Sequence, residues 1–404
     1  SWKLHGWGGY RGQRGGVLLE AVHLSTAGFK ELAGAENTGF EKTEVMFKGR
    51  VHTQPTAPVF SAWELKLASS HEDSRETYLG LSDEDFAENP YQRYPASAEG
   101  RMRWHRTQAE LRWQLAADAI DLEVVGYHHW QRRRWRKLNR FRGGPSLKDI
   151  LKYPDDGQAA IYAGILRGDE DSAVFDQELM VGTNDRQFHS FGAQAEGKWT
   201  VDGEKVQSSL QFGLRLHGDS VHRIHTEDPH VMASGVLTRT DDETELPTEN
   251  RGSSFALSAH LHEELGLGPI LLLPGVRVEV IRGEFHNLLS DEQSAETRAV
   301  ALPGFGFYGQ ATPWLGVVAG VHRGFSPVSP GQPAEVKPEE SWNVEAGVRI
   351  ARRGVNLEAI GFFNDYNNLT GQCTFSVSCD GDELDRQHNG GRVYVYGAEA
   401  ALSA

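Results

Sequence analysis

Cysteine is almost absent: the 404 residues hold two, Cys373 and Cys379, six apart in a polar stretch. Such a pair cannot supply the four ligands of a structural zinc site and suits one small surface disulfide in an oxidising compartment. Long hydrophobic runs are missing as well. Apolar residues make up 39% of the chain and mean hydropathy is −0.49, below the roughly 45–50% apolar content of average domains. The most apolar run, 265–278, is broken by Pro269 and Pro274, so no helix of about 20 apolar residues can span a bilayer. Positive charge is in deficit, 41 Lys and Arg against 56 Asp and Glu, for a net −15. That balance disfavours wholesale binding to nucleic acid or to an anionic surface and leaves room only for local basic patches. Enzyme motifs are lacking too, with no G-x-S-x-G, H-E-x-x-H or phosphate loop, so no catalytic constellation is expected. Gly304-Phe305-Gly306-Phe307-Tyr308-Gly309 fits G-x-G-x-x-G, but Pro303 precedes it and Thr312-Pro313 follows where a helix should run. Small residues in a bending strand explain it better. Neither a methionine nor a charged leader opens the chain at Ser1, and residues 393–404 are still alternating where it stops. Both ends read as cuts through structure, either after removal of a signal peptide or in a fragment.

What is present is period two. In residues 341–350, Trp342, Val344, Ala346, Val348 and Ile350 share one face, and Asn343, Glu345, Gly347 and Arg349 the other. Residues 206–217 set Val206, Leu210, Phe212, Leu214 and Leu216 against Gln207, Gln211, Arg215 and His217, and residues 44–52 and 59–67 repeat the pattern. Each is a strand with one apolar side. Strands of about 9–15 residues exceed the 5–6 usual in soluble domains and match a tilted bilayer crossing, apolar outward and polar inward. A soluble sandwich shows the same alternation, so the connections decide. Glycine, proline and polar clusters mark short links at 11–14, 54–58, 116–119, 201–205, 263–269, 311–313 and 351–354. Long ones fall at 26–38, 70–100, 135–184, 225–252, 288–298, 324–340 and 367–389. Strict alternation of short and long predicts an all-β, antiparallel transmembrane barrel filling residues 1–404 with no separate soluble domain. About 15 strands are expected, an odd number where bacterial single-chain barrels have an even one.

Local wording adds to this. Glu76-Thr77-Tyr78-Leu79-Gly80-Leu81 with Asp85-Phe86, Asn89-Pro90-Tyr91 and Arg93-Tyr94, Asn184-Asp185-Arg186, Gly213 to His217, and His222 to Asp228 occur in that order. Gly320 to Pro327, Gly361 to Tyr366 and Tyr396 to Glu399 follow. In these segments, spread over nearly the whole chain, the sequence resembles the TonB-dependent outer-membrane receptors, in their ferric dicitrate receptor-like branch. The resemblance implies a 22-stranded barrel preceded by a plug with a TonB box, and neither the plug nor the final strands is present here. It also implies an outer-membrane location in a Gram-negative bacterium, a ferric chelate as transported ligand and no covalently bound cofactor. A periplasmic TonB-type partner would supply the energy. A passive porin and a secreted β-sandwich adhesin remain as rivals; a plug upstream would exclude the first.

Candidate ligand residues follow from charge. Arg132, Arg133, Arg134, Trp135, Arg136 and Lys137, with Trp130, Arg140 and Arg142 beside them, gather where a long strand enters the longest loop. Guanidinium forks in a concave lumen suit an anionic chelate. The plainer alternative is contact with lipopolysaccharide, or pairing with the acidic loop at Asp83, Glu84, Asp85 and Glu88. His222 with Arg223, and His322 with Arg323, are further rim candidates. Metal binding by His222, His225 and His230, or by His260 and His262, lacks a completing ligand set, and no metal site is expected.

Overall fold

The computed structural model describes residues 1–35, 37–75, 78–373 and 386–403. Every period-two segment forms a strand. The first hairpin is β1 (Trp2–Gly12) with β2 (Gly15–Thr26), followed by β3 (Phe40–His52), β4 (Val59–Ser74), β5 (Arg101–Ala117) and β6 (Ile120–Phe141). Next come β7 (Leu179–Asp202), β8 (Gln207–Ala233), a short β9 (Val236–Arg239) folded back on the tip of β8, β10 (Glu245–Leu267) and β11 (Ile270–Asn287). β12 (Glu292–Thr312), β13 (Leu315–Ser326), β14 (Glu339–Arg352) and β15 (Val355–Asn367) lead to a two-stranded ribbon, β16 (Thr370–Gln372) with β17 (Gln387–Asn389), and then to β18 (Val393–Ser403). Among the described residues the main sheet has 16 strands, fifteen of them in one path and β9 beside it, and the path follows chain order from β1 to β18. Every pairing between these strands is antiparallel, from β1 with β2 to β15 with β18. Among the described residues no helix is long and apolar enough to cross a membrane.

Register shows why the wall holds together. One cross-strand row runs Trp63, Trp113, Val124, Ala195, Leu214, Ala259, Val278 and Ala301 from β4 to β12. The row one residue along runs Glu64, Arg112, Val125, Gln194, Arg215, Ser258, Glu279 and Val300. Side chains of successive residues leave opposite faces, so the first row makes a continuous apolar surface and the second a mostly polar one. In β14 the expected sides hold: Trp342 and Val344 are 46% and 43% exposed on the apolar face. Val348 lies there between Val317 and Ala359, while Arg349 on the other side reaches Glu358 at 2.6 Å. Ion pairs brace the polar face, among them Lys48 with Glu64 at 3.1 Å and Lys66 with Glu110 at 3.5 Å.

Short links gather at one end. Between β14 and β15 the turn is only Arg353 and Gly354, with φ of 54° and 87°, the paired left-handed conformation that a two-residue hairpin needs. At the other end the strands outrun the sequence reading. Ladders continue to Phe141 on β6, from Leu179 on β7 and to Ala233 on β8, because backbone pairing persists where both faces are polar and the apolar period is lost. The link expected over 288–298 shrinks to residues 288–291, since β12 already starts at Glu292. Gly304 to Gly309 lie inside β12, as a strand and not as a strand-to-helix turn.

A wall one sheet thick has no interior, so the apolar core lies elsewhere. It forms where residues 78–100 and 142–178 fold onto the tips of β6, β7 and β8. Three helices appear there, α1 (Asp83–Glu88), α2 (Leu147–Lys152) and α3 (Gly157–Arg167), the last ended by Gly168 at φ 79°. Leu79, Tyr94, Phe141, Ile150, Tyr162, Ile165, Leu166, Leu179 and Met232 are buried together. Asp85 ties this cap: its Oδ2 accepts from Ser82 Oγ at 2.8 Å, Arg167 Nε at 2.9 Å and the Tyr94 hydroxyl. Burial alone would raise the Asp85 carboxyl, but the hydrogen bonds from Tyr94, Ser82 and Arg167 outweigh it and hold the group below the ordinary carboxylate range.

Candidate functional site

The basic run of β6 does not form one site. Reading up that strand, Glu123, Tyr127, His129, Arg133, Trp135 and Lys137 share the polar face, while Leu122, Val124, His128, Trp130, Arg132, Arg134 and Arg136 share the apolar one. A shift of one residue reverses the face, so neighbouring arginines are aimed to opposite sides of the wall. The same rule divides the other candidates. Arg223 and His322 stand on the polar face, whereas His222 and Arg323 stand on the apolar face beside Glu249 and Glu340, at 3.1 and 2.8 Å.

On the polar face the register sets three arginines side by side: Arg133 opposite Arg186, and Arg186 opposite Arg223. Directly paired side chains on adjacent strands stand about 5 Å apart at Cβ, and like charges so placed repel. Arg186 Nε donates to Asn184 Oδ1 at 3.0 Å. The Nε of Arg133 is buried and meets no acceptor among the described residues, and its guanidinium lies 5.9 Å from the Phe188 ring. An unmatched buried donor is costly unless an anion or another acceptor reaches it. Aromatic rings flank the row. Trp135 meets Tyr78 edge-on at 5.1 Å, Lys137 lies 3.8 Å over the Tyr78 ring, and Trp104, opposite Arg133 on β5, has Arg106 at 5.9 Å. Above them Glu227 binds Arg140 at 2.8 Å and Asn139 at 2.8 Å. The result is a basic and aromatic wall under the loop cap, suited to holding a polyanion with flat groups.

On the other face the arginines already have protein partners. Arg132 grips Asp185 through Nε at 3.0 Å and Nη2 at 2.7 Å, Arg134 shares that carboxylate at 3.2 Å, and Arg136 reaches Glu99 at 2.9 Å and Asp228 at 2.7 Å. The alternative of pairing with Asp83, Glu84, Asp85 and Glu88 is not what these three arginines adopt; Asp85 is held by Arg167 within the cap. Their partners come from adjacent strands and from the 75–100 link, which only register reveals.

Histidine roles are separate. His222 and His225 lie on opposite faces, and the His230 ring bonds the Asp228 carbonyl at 2.9 Å. His260 and His262 share the polar face. Among the described residues no group of three or more His, Cys, Asp or Glu could hold a metal ion. Cys379, and with it the expected bridge to Cys373, lies outside the described residues, as do Glu76 and Thr77.

Sequence reasoning did not single out Arg186, Trp104, Arg106 or Tyr78 as site residues. Alternation could have assigned their faces, but only strand register brings them beside Arg133.

Comparison with known proteins closes the matter of family. The model of the TonB-dependent receptor-like β-barrel matches residues 61–404. Among solved structures, the ferric citrate transporter FecA in its unliganded form superposes with a TM-score of 0.69 at 15% identity, covering 96% of this chain and 50% of that one. The siderophore receptor PiuA from Acinetobacter baumannii gives 0.66 at 11% identity over 99% and 59%, and the ferric yersiniabactin uptake receptor FyuA from Yersinia pestis 0.65 at 12% over 99% and 55%. This chain thus spans little more than half the length of the structures it matches. No curated protein matches it by sequence. The sheet order, the apolar outer and polar inner rows and the matched family model together place the chain in the TonB-dependent receptor family, within its outer-membrane β-barrel.

Proposed function

We propose that the protein captures an anionic ferric chelate at the long-loop end of an outer-membrane barrel and imports it with energy from a periplasmic TonB-type partner. The observation that carries this reading is the Arg133–Arg186–Arg223 row, on the polar face beneath the loop cap, with a buried and unmatched Arg133 Nε. In the barrel of this family the polar face is the lumen. A chelate whose carboxylates met the row would relieve repulsion among the guanidiniums and satisfy the donor, so binding strengthens with the ligand's negative charge. Trp135 and Trp104 would cover its apolar parts. Passage through the lumen then depends on the plug that the family resemblance implies, and on the partner that pulls it.

The test uses the full-length receptor in cells and ferric dicitrate as probe, with a neutral ferric hydroxamate beside it. Arg133→Gln is expected to weaken ferric dicitrate binding by about 10- to 100-fold, the equivalent of one charge-assisted bond. The neutral chelate should be affected much less. Equal affinity of wild type and variant for ferric dicitrate refutes the assignment. Uptake that continues without the periplasmic partner refutes energy coupling and leaves a passive pore.

A further inference from the structure

Several histidines stand on the apolar face of the wall toward its long-loop end, and most of them meet an oxygen. His23 Nδ1 lies 2.8 Å from Thr43 Oγ1, His105 Nε2 3.1 Å from Ser69 Oγ, and His222 Nε2 3.1 Å from Glu249 Oε1. His128 on β6 and His189 on β7 differ, because they meet each other. Their ring centroids are 5.6 Å apart with the planes at 45°, and His128 Nε2 stands 3.4 Å from His189 Nδ1. In the register His128 is opposite Phe191 and Trp130 opposite His189, so the two imidazoles share one face and sit diagonally across the β6–β7 ladder.

A separation of 3.4 Å is long for a hydrogen bond between nitrogens, but it matches another geometry. Two imidazole nitrogens each about 2.0–2.1 Å from one tetrahedral dication stand about 3.3–3.4 Å from each other. Neighbouring positions on a square-planar or octahedral ion would bring them to about 2.8 Å. The surroundings hold no charge that would repel a cation. Across the ladders His128 has Ala109 and Phe191 beside it, and His189 has Trp130 and Ser220; along the strands Gly126 and Gln187 are next on the same face. Water can complete the shell. His128 lies eight residues above Ile120, the first residue of β6, which puts it about 20 Å above the short-turn end, near the upper edge of an apolar band about 25 Å tall. There His128 is exposed and His189 half-buried.

We propose that His128 and His189 form a two-histidine site for a zinc-class dication, which bridges β6 to β7 on the outside of the wall with water in its remaining positions. Two protein ligands make an open site, unlike the closed four-ligand sets of structural zinc. Imidazole nitrogen in tetrahedral array selects zinc or cobalt over the oxygen-seeking magnesium and calcium. A bound ion would add a side-chain link to two strands otherwise joined by their backbones, and would stabilise the paired form by mass action. The site rests on strand register and not on the identity of the chelate, and the Arg133 row lies on the opposite side of the wall.

The experiment uses the full-length receptor in detergent, without a polyhistidine tag and stripped of metal by a chelator. Zn²⁺ affinity is read by competition with a chromophoric chelator, and coordination geometry by the visible spectrum with Co²⁺ as probe. Wild type is expected to give the intense Co²⁺ absorption of a tetrahedral site. H128F and H189F each keep a ring on the outer face, and each should weaken Zn²⁺ binding by at least about 10-fold, the loss that removing even an outer partner of a metal ligand brings. Both should also lose the Co²⁺ band. H71F removes an outward histidine that does not belong to the pair and should keep affinity and band. Should a phenylalanine variant not fold, H128Q and H189Q are read in its place, with the same losses expected. Equal Zn²⁺ affinity of wild type and the paired-histidine variants overturns the proposal, as does a loss in H71F as large as in H189F. A weak octahedral Co²⁺ spectrum in wild type overturns it as well.

Discussion

Replacing Val348 by arginine puts a charge where the wall meets lipid. Val348 lies four residues above Arg352, the last residue of β14, and neighbours Val317 and Ala359 on the apolar face. At about 3.3 Å per residue and a tilt near 40°, four residues rise about 10 Å, close to the middle of an apolar band about 25 Å tall. An arginine there should cost about 2–4 kcal/mol, which lowers the folding constant by about 30- to 900-fold. Val344→Arg, eight residues up and so about 20 Å above the turn, should cost about 1–2 kcal/mol, because penalties fall toward the interface. Glu345, adjacent in sequence, faces the opposite side between Gly320 and Phe362. Glu345→Arg should change stability by less than about 1 kcal/mol. The assay is urea titration of the full-length receptor folding into phospholipid vesicles, followed by tryptophan fluorescence. Equal penalties at 345 and 348, or a larger one at 344 than at 348, would refute the assignment of faces and depth.

The Asp85 knot predicts a pH response of the loop cap. Because its carboxyl lies below the ordinary range, its stabilisation is complete above about pH 3.9 and is lost as pH falls through the lowered native value. Asp85→Asn should abolish that acid dependence and cost about 1–3 kcal/mol of cap stability, read by hydrogen exchange in α3; unchanged protection would show that the knot is not what holds the cap. For Cys373 and Cys379, thiol labelling of intact cells without reductant should find no free thiol, and reduction should cost at most about 2–3 kcal/mol, as a small ring allows. Ready labelling of both cysteines would exclude the bridge.

Alternation within single segments carried most of the architecture, since a lipid-facing row must stay apolar and a lumen-facing row need not. Trp342, Val344 and Glu345 could be assigned from ten residues. Register could not, because it depends on which residue of the next strand is opposite, and nothing in the basic run of β6 says that Arg186 and Arg223 will stand beside Arg133. The division of Arg132 to Arg136 between two faces follows from the period itself and was obscured by reading charge as a cluster in sequence. Strand ends were overrun for a different reason. Above the membrane both faces meet water or loop, so apolar residues no longer mark them. The helices in links 75–100 and 142–178 have no long apolar stripe, and only features such as Ser82 before α1 or Gly168 after α3 announce them.

The pairing of each strand with its predecessor has a consequence for how the wall is made. No strand along the path from β1 to β18 is inserted between two earlier ones. Each new hairpin closes only the loop that precedes it, so the entropy of bringing strands together stays modest until the last strands of a complete barrel meet the first. Growth can therefore proceed by adding one edge strand at a time to a template already in place. At every stage a single growing edge displays its unpaired N–H and C=O groups, and the next segment of chain is the nearest partner to cover them.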